Sequence, residues 1–242
     1  MGDLGVWTFV AIAAALLVGT FVQSVVGLGL GLVAAPVITL LAPQLMPGAM
    51  LMLASVLPVV TLSREREEID WHGLGWSLPA RVVGTGVGVW VVASLSERQL
   101  GVGIGLIVLA AVLLTARTVV VPITRRTLGV AGFVSGVTGT ATSIGGPPFA
   151  LLYQRRPPRQ IRTTLAVFFL VGAAMSLVGL GISGELTRDE LMVAVAMLPA
   201  LLVGFAISGP LRRRLPTEVV RPLVLLVSGA SAVVLVVRSL VG

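Results

Sequence analysis

The sequence predicts an all-α polytopic membrane protein built from two inverted repeats of about four helical segments each. Three observations predict it. Apolar runs recur along the whole chain: 56% of its 242 residues are hydrophobic and 11% are charged, against about a quarter charged in a soluble domain. Two glycine-rich breaks interrupt those runs at corresponding points, 112 residues apart. The arginines gather in four loops that share one side of a membrane only if each break changes the direction of the chain.

Apolar runs between charged or proline-rich breaks give segments at 4–26, 28–41, 48–62, 73–95, 101–121, 128–142, 147–153, 163–182, 191–211 and 219–240. A helix crossing about 30 Å of hydrocarbon needs roughly 20 residues, and most segments approach this. The first has Asp3 and no Lys or Arg before it, so it reads as a membrane segment and not as a cleaved leader. The second, 28–41, is short and follows the first break. The third ends at Arg64 and Arg66, and the fourth carries Pro79. The fifth ends in the loop of Arg117, Arg125 and Arg126. The sixth runs into the second break, and the very short seventh opens on Pro147 and Pro148, residues suited to a helix start. Arg155, Arg156, Arg159 and Arg162 precede the eighth, an acidic loop the ninth, and Arg212, Arg213, Arg214 and Arg221 surround the start of the tenth.

Eight simple crossings would scatter the rich loops over both faces, against the positive-inside tendency. If each break is the turn of a re-entrant hairpin, or divides two short crossings, thirteen arginines share one face. Charge alone does not choose between these; the short lengths favour hairpins. Only Arg98, Arg188 and Arg238 lie opposite, and Arg81 lies within a segment. The rich face is then cytoplasmic, both termini are outside, and the halves 1–121 and 122–242 are inverted against each other in one membrane domain.

The halves share a sequence framework. Phe21-Val-Gln-Ser-Val-Val-Gly27 precedes the first break and Phe133-Val-Ser-Gly-Val-Thr-Gly139 the second, which aligns Gln23 with Ser135. Later, Trp76-Ser-Leu-Pro79 with Gly84 and Gly88 is matched by Ala196-Met-Leu-Pro199 with Gly204 and Ser208. Paired interruptions of this kind point to a site near the midplane, where the broken helices meet. Backbone leaves helical geometry at membrane depth only where protein or a cavity surrounds it.

Composition excludes several chemistries. The absence of cysteine removes disulfides, thiolate metal sites and redox chemistry. His72 is the sole histidine and reads as a loop residue, so neither a metal site nor a cofactor is expected. The net charge of +7 comes with arginine as the only basic residue, placed mostly in short loops, which argues for membrane topology and lipid contact, not a nucleic-acid partner. Ser143 beside Gly145 and Gly146 lacks a base, which argues against an intramembrane enzyme. All ten acidic residues read as loop residues, so transport would run on the anion gradient and the membrane potential, without a proton-carrying carboxylate.

The segments Gly27-Leu-Gly-Leu-Gly-Leu-Val-Ala-Ala-Pro36 and Ser135-Gly-Val-Thr-Gly-Thr-Ala-Thr-Ser-Ile-Gly-Gly-Pro-Pro148 resemble the signatures of the sulfite exporter TauE/SafE family, also called TSUP transporters. The likeness covers nearly the whole chain. The first motif departs from the family in having its glycines spaced by leucine. The resemblance implies a carrier that moves small organosulfur or sulfur oxyanions, such as sulfite or sulfoacetate, across the cytoplasmic membrane. Carriage of another small anion and a non-transporting membrane scaffold are the competing readings.

The residues themselves agree with an anion. Glycine permits positive φ and close ligand approach, and a half-helix N-terminus presents unpaired amides and positive potential. The expected site comprises Gln23, Ser24, Gly27, Gly29 and Gly31 from the first break. The second break supplies Ser135, Thr138, Gly139, Thr140, Thr142, Ser143, Gly145, Gly146 and Pro147. Arg81 is added as an anion-attracting charge, with snorkelling to the cytoplasmic face as the plainer alternative. Each hydroxyl has a plainer role too, cementing helix contacts. The Gly84-x3-Gly88 and Gly101-x3-Gly105 spacings serve packing within the bundle or, alternatively, a homodimer.

Overall fold

The structure, a computed structural model, describes residues 5–26, 29–116, 121–212 and 217–241. The described residues form ten α-helices and one 3₁₀ turn, with no strand. In chain order the helices are α1 Val6–Val26, α2 Leu30–Leu41, α3 Gly48–Arg64, α4 Trp71–Ser94 and α5 Glu97–Ala116. They continue as α6 Arg125–Thr142, α7 Gly146–Tyr153, α8 Pro158–Ser183, α9 Arg188–Arg212 and α10 Thr217–Val241. Among the described residues, α1, α4, α5, α8 and α9 contain windows long and apolar enough to cross a membrane.

Each expected segment falls on a helix among the described residues, and several helices begin earlier than the apolar pattern. Hydropathy marks the stretch that fits hydrocarbon, whereas hydrogen bonding carries the helix on into polar residues. Thus α6 begins at Arg125, where Thr124 and Thr127 close a reciprocal capping box. Likewise α4 begins at Trp71, where the Asp70 carboxylate accepts the Gly73 amide at 2.9 Å. Trp71 and Trp90 are both exposed and stand about 28 Å apart along α4 at about 1.5 Å per residue. That separation matches the hydrocarbon thickness whose two borders tryptophan favours.

Both breaks are followed by short helices. The 12 residues of α2 and the 8 of α7 extend only about 18 and 12 Å. Neither crosses alone; α2 packs along α1, and α7 along α6. Helix contacts come in matched pairs when α1–α5 are laid over α6–α10. Helix α1 packs on α9 as α6 packs on α4, and α3 packs on α9 as α8 does on α4. Helix α2 meets α10 as α7 meets α5, while α3 meets α8 and α5 meets α10 directly.

Between helices in lipid the gain comes from close packing, not from water release, so small residues gather where axes cross. At the α4–α6 crossing a methyl added at Gly132 would strike the Ser77 carbonyl, and one at Gly84 the Phe133 carbonyl. One added at Gly136 would lie 2.8 Å from the Thr85 amide, and one at Gly88 2.7 Å from the Thr140 Cβ. Gly101 and Gly105 lie against Ser239 and Val236 of α10. Both glycine spacings are therefore used inside one chain.

Two ends of the bundle are distinguishable. At one, Arg162 pairs with Glu65 at 2.8 Å and Arg159 with Glu67 at 3.3 Å. Arg125 also lies over the Trp76 ring at 4.8 Å, so three of the arginine-rich loops meet here. At the other end Arg98 donates to the carbonyls of Ser239, at 2.6 Å, and Leu240. In the fourth rich loop Arg213 and Arg214 lie outside the described residues, as do Asp3 and Arg117.

Candidate functional site

The two breaks touch each other. A methyl on Gly31 would stand 3.3 Å from the Ser143 carbonyl oxygen and 3.2 Å from the Ile144 side chain. Beside this contact lies a cavity of about 70 Å³. That is several times the roughly 15 Å³ that a single water needs. Gln23, Gly29 and Gly31 form the wall from the first half, with Leu51 and Ala54 of α3. Gly139, Ser143, Gly145, Gly146 and Pro147 form it from the second, with Phe169 and Ala173 of α8. Arg81 of α4 completes it.

The second break is shaped by serine as much as by glycine. Ser143 ends α6 in the left-handed region, at φ 60° and ψ 12°. Its amide donates to the Gly139 carbonyl and its hydroxyl to the Pro47 carbonyl, each at 2.9 Å. Gly145 has φ −94°, so the expectation that glycine here supplies positive φ gives way to close approach. A methyl on Gly139 would lie 3.2 Å from the Gly145 Cα, and one on Gly145 2.7 Å from the Ser135 carbonyl. At the first break the Gln23 Oε1 accepts the Leu30 amide at 3.2 Å, covering the first turn of α2. Gly27 lies outside the described residues.

Arg81 is 3% exposed, so it does not snorkel to the surface. Its guanidinium lies over the Phe168 ring at 4.3 Å, and Nη1 donates to the Phe168 carbonyl at 3.2 Å. Its Nε is buried with no hydrogen-bond partner. No carboxylate pairs with it among the described residues. An unpaired buried charge of this kind is worth several kcal/mol of destabilisation. The seat exists because residue 172 is glycine: a methyl there would coincide with the guanidinium carbon.

Five expected donors do not line this cavity. The hydroxyls of Ser24, Thr138 and Thr142 donate to the carbonyls of Thr20, Val134 and Thr138, one helical turn back. Thr140 shares a 2.8 Å hydrogen bond with Ser176 of α8. Ser135 is buried behind the wall, its hydroxyl without a partner. Gly172 and Phe168, which seat Arg81, are not among the residues expected at the site. Nothing in an apolar run distinguishes them; only the long side chain on the facing helix does.

Four acidic residues expected in loops fall at helix starts instead: Glu97 in α5, Asp189 and Glu190 in α9, and Glu218 in α10. Glu190 is 2% exposed, in the first turn of α9. Its carboxylate accepts the amide of Gly48, at the start of α3, at 2.9 Å, and that of Thr187 at 2.8 Å. Helix N-termini favour negative charge, so the burial is compensated on the spot. The Thr187-x-x-Glu190 spacing before an apolar run was the available signal. Glu190 is not on the cavity wall. His72, exposed, falls in the first turn of α4 and not in the loop.

Residues 11–235 match the family model described as "Sulfite exporter TauE/SafE". The chain is also similar to a protein of Cupriavidus necator named "Probable sulfite/organosulfonate exporter TauE". The two are 28% identical over 201 residues, covering 76% of this chain and 77% of the relative. No solved structure matches. With a membrane-spanning helical bundle, paired glycine breaks and a family match over nearly its full length, the chain belongs to the sulfite exporter TauE/SafE family of membrane transporters.

Proposed function

We propose that the protein exports small sulfur oxyanions or organosulfonates across the cytoplasmic membrane, and that the anion binds in the cavity between the two breaks. The observation that carries this is Arg81: a buried cation on a cavity wall with no carboxylate partner among the described residues. An anion there supplies the missing countercharge. Charge-assisted hydrogen bonds to it are worth about 1.5–3 kcal/mol each. Gln23, Gly29 and Gly31 face it from one half; Gly139, Ser143, Gly145, Gly146 and Pro147 face it from the other.

The halves 1–121 and 122–242 act as inverted repeats whose broken helices meet near the midplane, with both termini outside. The matched helix contacts and the meeting of three arginine-rich loops at one end support this arrangement. Arg81 is the only ionisable residue on the described cavity wall, so flux follows the anion gradient and the membrane potential. An inside-negative potential drives a monovalent anion outward by about 2.3 kcal/mol per 100 mV. Ser143 has its hydroxyl on Pro47 and no histidine or carboxylate beside it on the wall, which favours carriage over catalysis.

The test is potential-driven flux in proteoliposomes, with orientation read from single cysteines at positions 66 and 156. Sulfite and a small organosulfonate are expected to move faster than in protein-free vesicles, and both cysteines to react from one face. Absence of flux from folded protein would favour a scaffold. Flux of other small anions alone would move the substrate class, and labelling from opposite faces would overturn the inverted arrangement.

A further inference from the structure

Glu190 is the one fully buried acidic side chain among the described residues, yet it lies off the cavity wall. Its Oε2 accepts the Thr187 amide at 2.8 Å and the Thr187 hydroxyl at 3.2 Å, which closes the first turn of α9. Local capping needs nothing more. Its Oε1 nevertheless crosses to the other half and accepts the Gly48 amide at 2.9 Å. The approach is so close that a methyl on Gly48 would stand 2.5 Å from that oxygen.

What Oε1 grips is one end of a peptide group whose other end serves the second break. The Gly48 N–H and the Pro47 carbonyl belong to the same amide plane. That carbonyl accepts the Ser143 hydroxyl at 2.9 Å and the Leu51 amide at 3.0 Å. A carboxylate on the N–H side polarises the amide and makes its oxygen a stronger acceptor. Ser143 needs such a hold. It sits at φ 60°, a conformation that a non-glycine residue keeps only where its neighbours enforce it. From Ser143 through Pro147 every residue lines the cavity.

The repeat carries the device twice. The offset that pairs Pro79 with Pro199 pairs Asp70 with Glu190. Asp70 caps α4 through the Gly73 amide, and its second oxygen accepts the Tyr153 hydroxyl, at 2.8 Å, from the end of α7. In each half the acid that caps the fourth helix also reaches into the opposite half.

We propose that Glu190 is a positioning residue for the anion site: through the Pro47–Gly48 peptide it holds Ser143, and with it the second break, in the geometry that receives the anion. The inference rests on the cavity being that site. Glu190 is not on the wall itself, so its effect passes through Ser143 and should vanish when the Ser143 hydroxyl is gone. A carboxylate that merely stabilised α9 would shift the melting temperature and act equally with or without that hydroxyl.

Calorimetric titration of the purified full chain with sulfite, run as a double-variant cycle, tests this. Glutamine at position 190 keeps the volume but offers one acceptor oxygen in place of two. Glu190→Gln and Ser143→Ala are each expected to weaken sulfite binding by about tenfold, and the double variant also by about tenfold, instead of the roughly hundredfold of independent sites. Glu190→Asp is the second variant, since it keeps the charge for Thr187 but is a methylene shorter toward Gly48. It should follow the same pattern with a melting temperature near that of wild type. Unchanged affinity in both Glu190 variants, or losses that multiply in the double variant, would overturn the positioning role. If wild type itself binds no sulfite, the proposed substrate site fails instead.

Discussion

Gly172→Ala is expected to lower sulfite affinity by about ten- to a hundredfold while strengthening the helix that carries it. Alanine favours an α-helix over glycine by about 1 kcal/mol, so α8 itself gains. The added methyl falls on the guanidinium carbon of Arg81, and the side chain must leave its place over Phe168. A tenfold loss is about 1.4 kcal/mol and a hundredfold loss about 2.8 kcal/mol, the range of one misdirected charge-assisted contact. Thermal unfolding and ligand titration separate the two effects. An unchanged or raised melting temperature with weakened binding is the expected pair; unchanged affinity would mean that the seat of Arg81 is immaterial to the anion.

Gly132→Leu should damage the fold itself. Here the neighbour of the added carbon is backbone, the Ser77 carbonyl of α4, with the Ser77 Cα at 3.0 Å. A side-chain tip swings away, but a helix backbone held by its own hydrogen bonds moves only as a unit. Separating α4 from α6 loosens the crossing that carries Arg81, Gly84 and Gly136 together. Overpacking costs about 1–3 kcal/mol and sometimes more, and this site belongs at the upper end. Gly86→Ala is the control, since nothing lies within 4 Å of its added methyl. Melting in detergent should fall sharply for the first variant and hold or rise for the second. Equal behaviour would contradict the close α4–α6 packing.

The sequence made the elements legible because membrane helices announce themselves by length and hydropathy. Helix α8 starts at Pro158, five residues before the apolar run at Thr163, because Arg159 and Arg162 interrupt the apolar signal without interrupting the helix. The breaks were legible because two glycine clusters with matching lead-ins recur 112 residues apart, the second running into two prolines. Hydroxyl roles were not. Thr138 and Thr142 lie beside the break, yet each hydroxyl reaches back one turn to a carbonyl, a choice fixed by rotamer and not by residue type. Gly172 was illegible for a related reason: its importance belongs to Arg81, on another helix and 91 positions away. Glu190 looks like a loop residue by charge alone, and the capping pattern with Thr187 explains its burial.

Anion binding turns on a single charge, and titrating purified wild type and Arg81→Gln with sulfite tests this most directly. Glutamine keeps a polar side chain in the cavity and removes the cation. Wild type is expected to bind and to melt at higher temperature as sulfite is added. Arg81→Gln should remain folded, even gaining stability as an unpaired buried charge disappears, and should lose affinity by about a hundredfold. Sulfite binding of equal strength by both proteins would contradict the assignment of the cavity as the anion site.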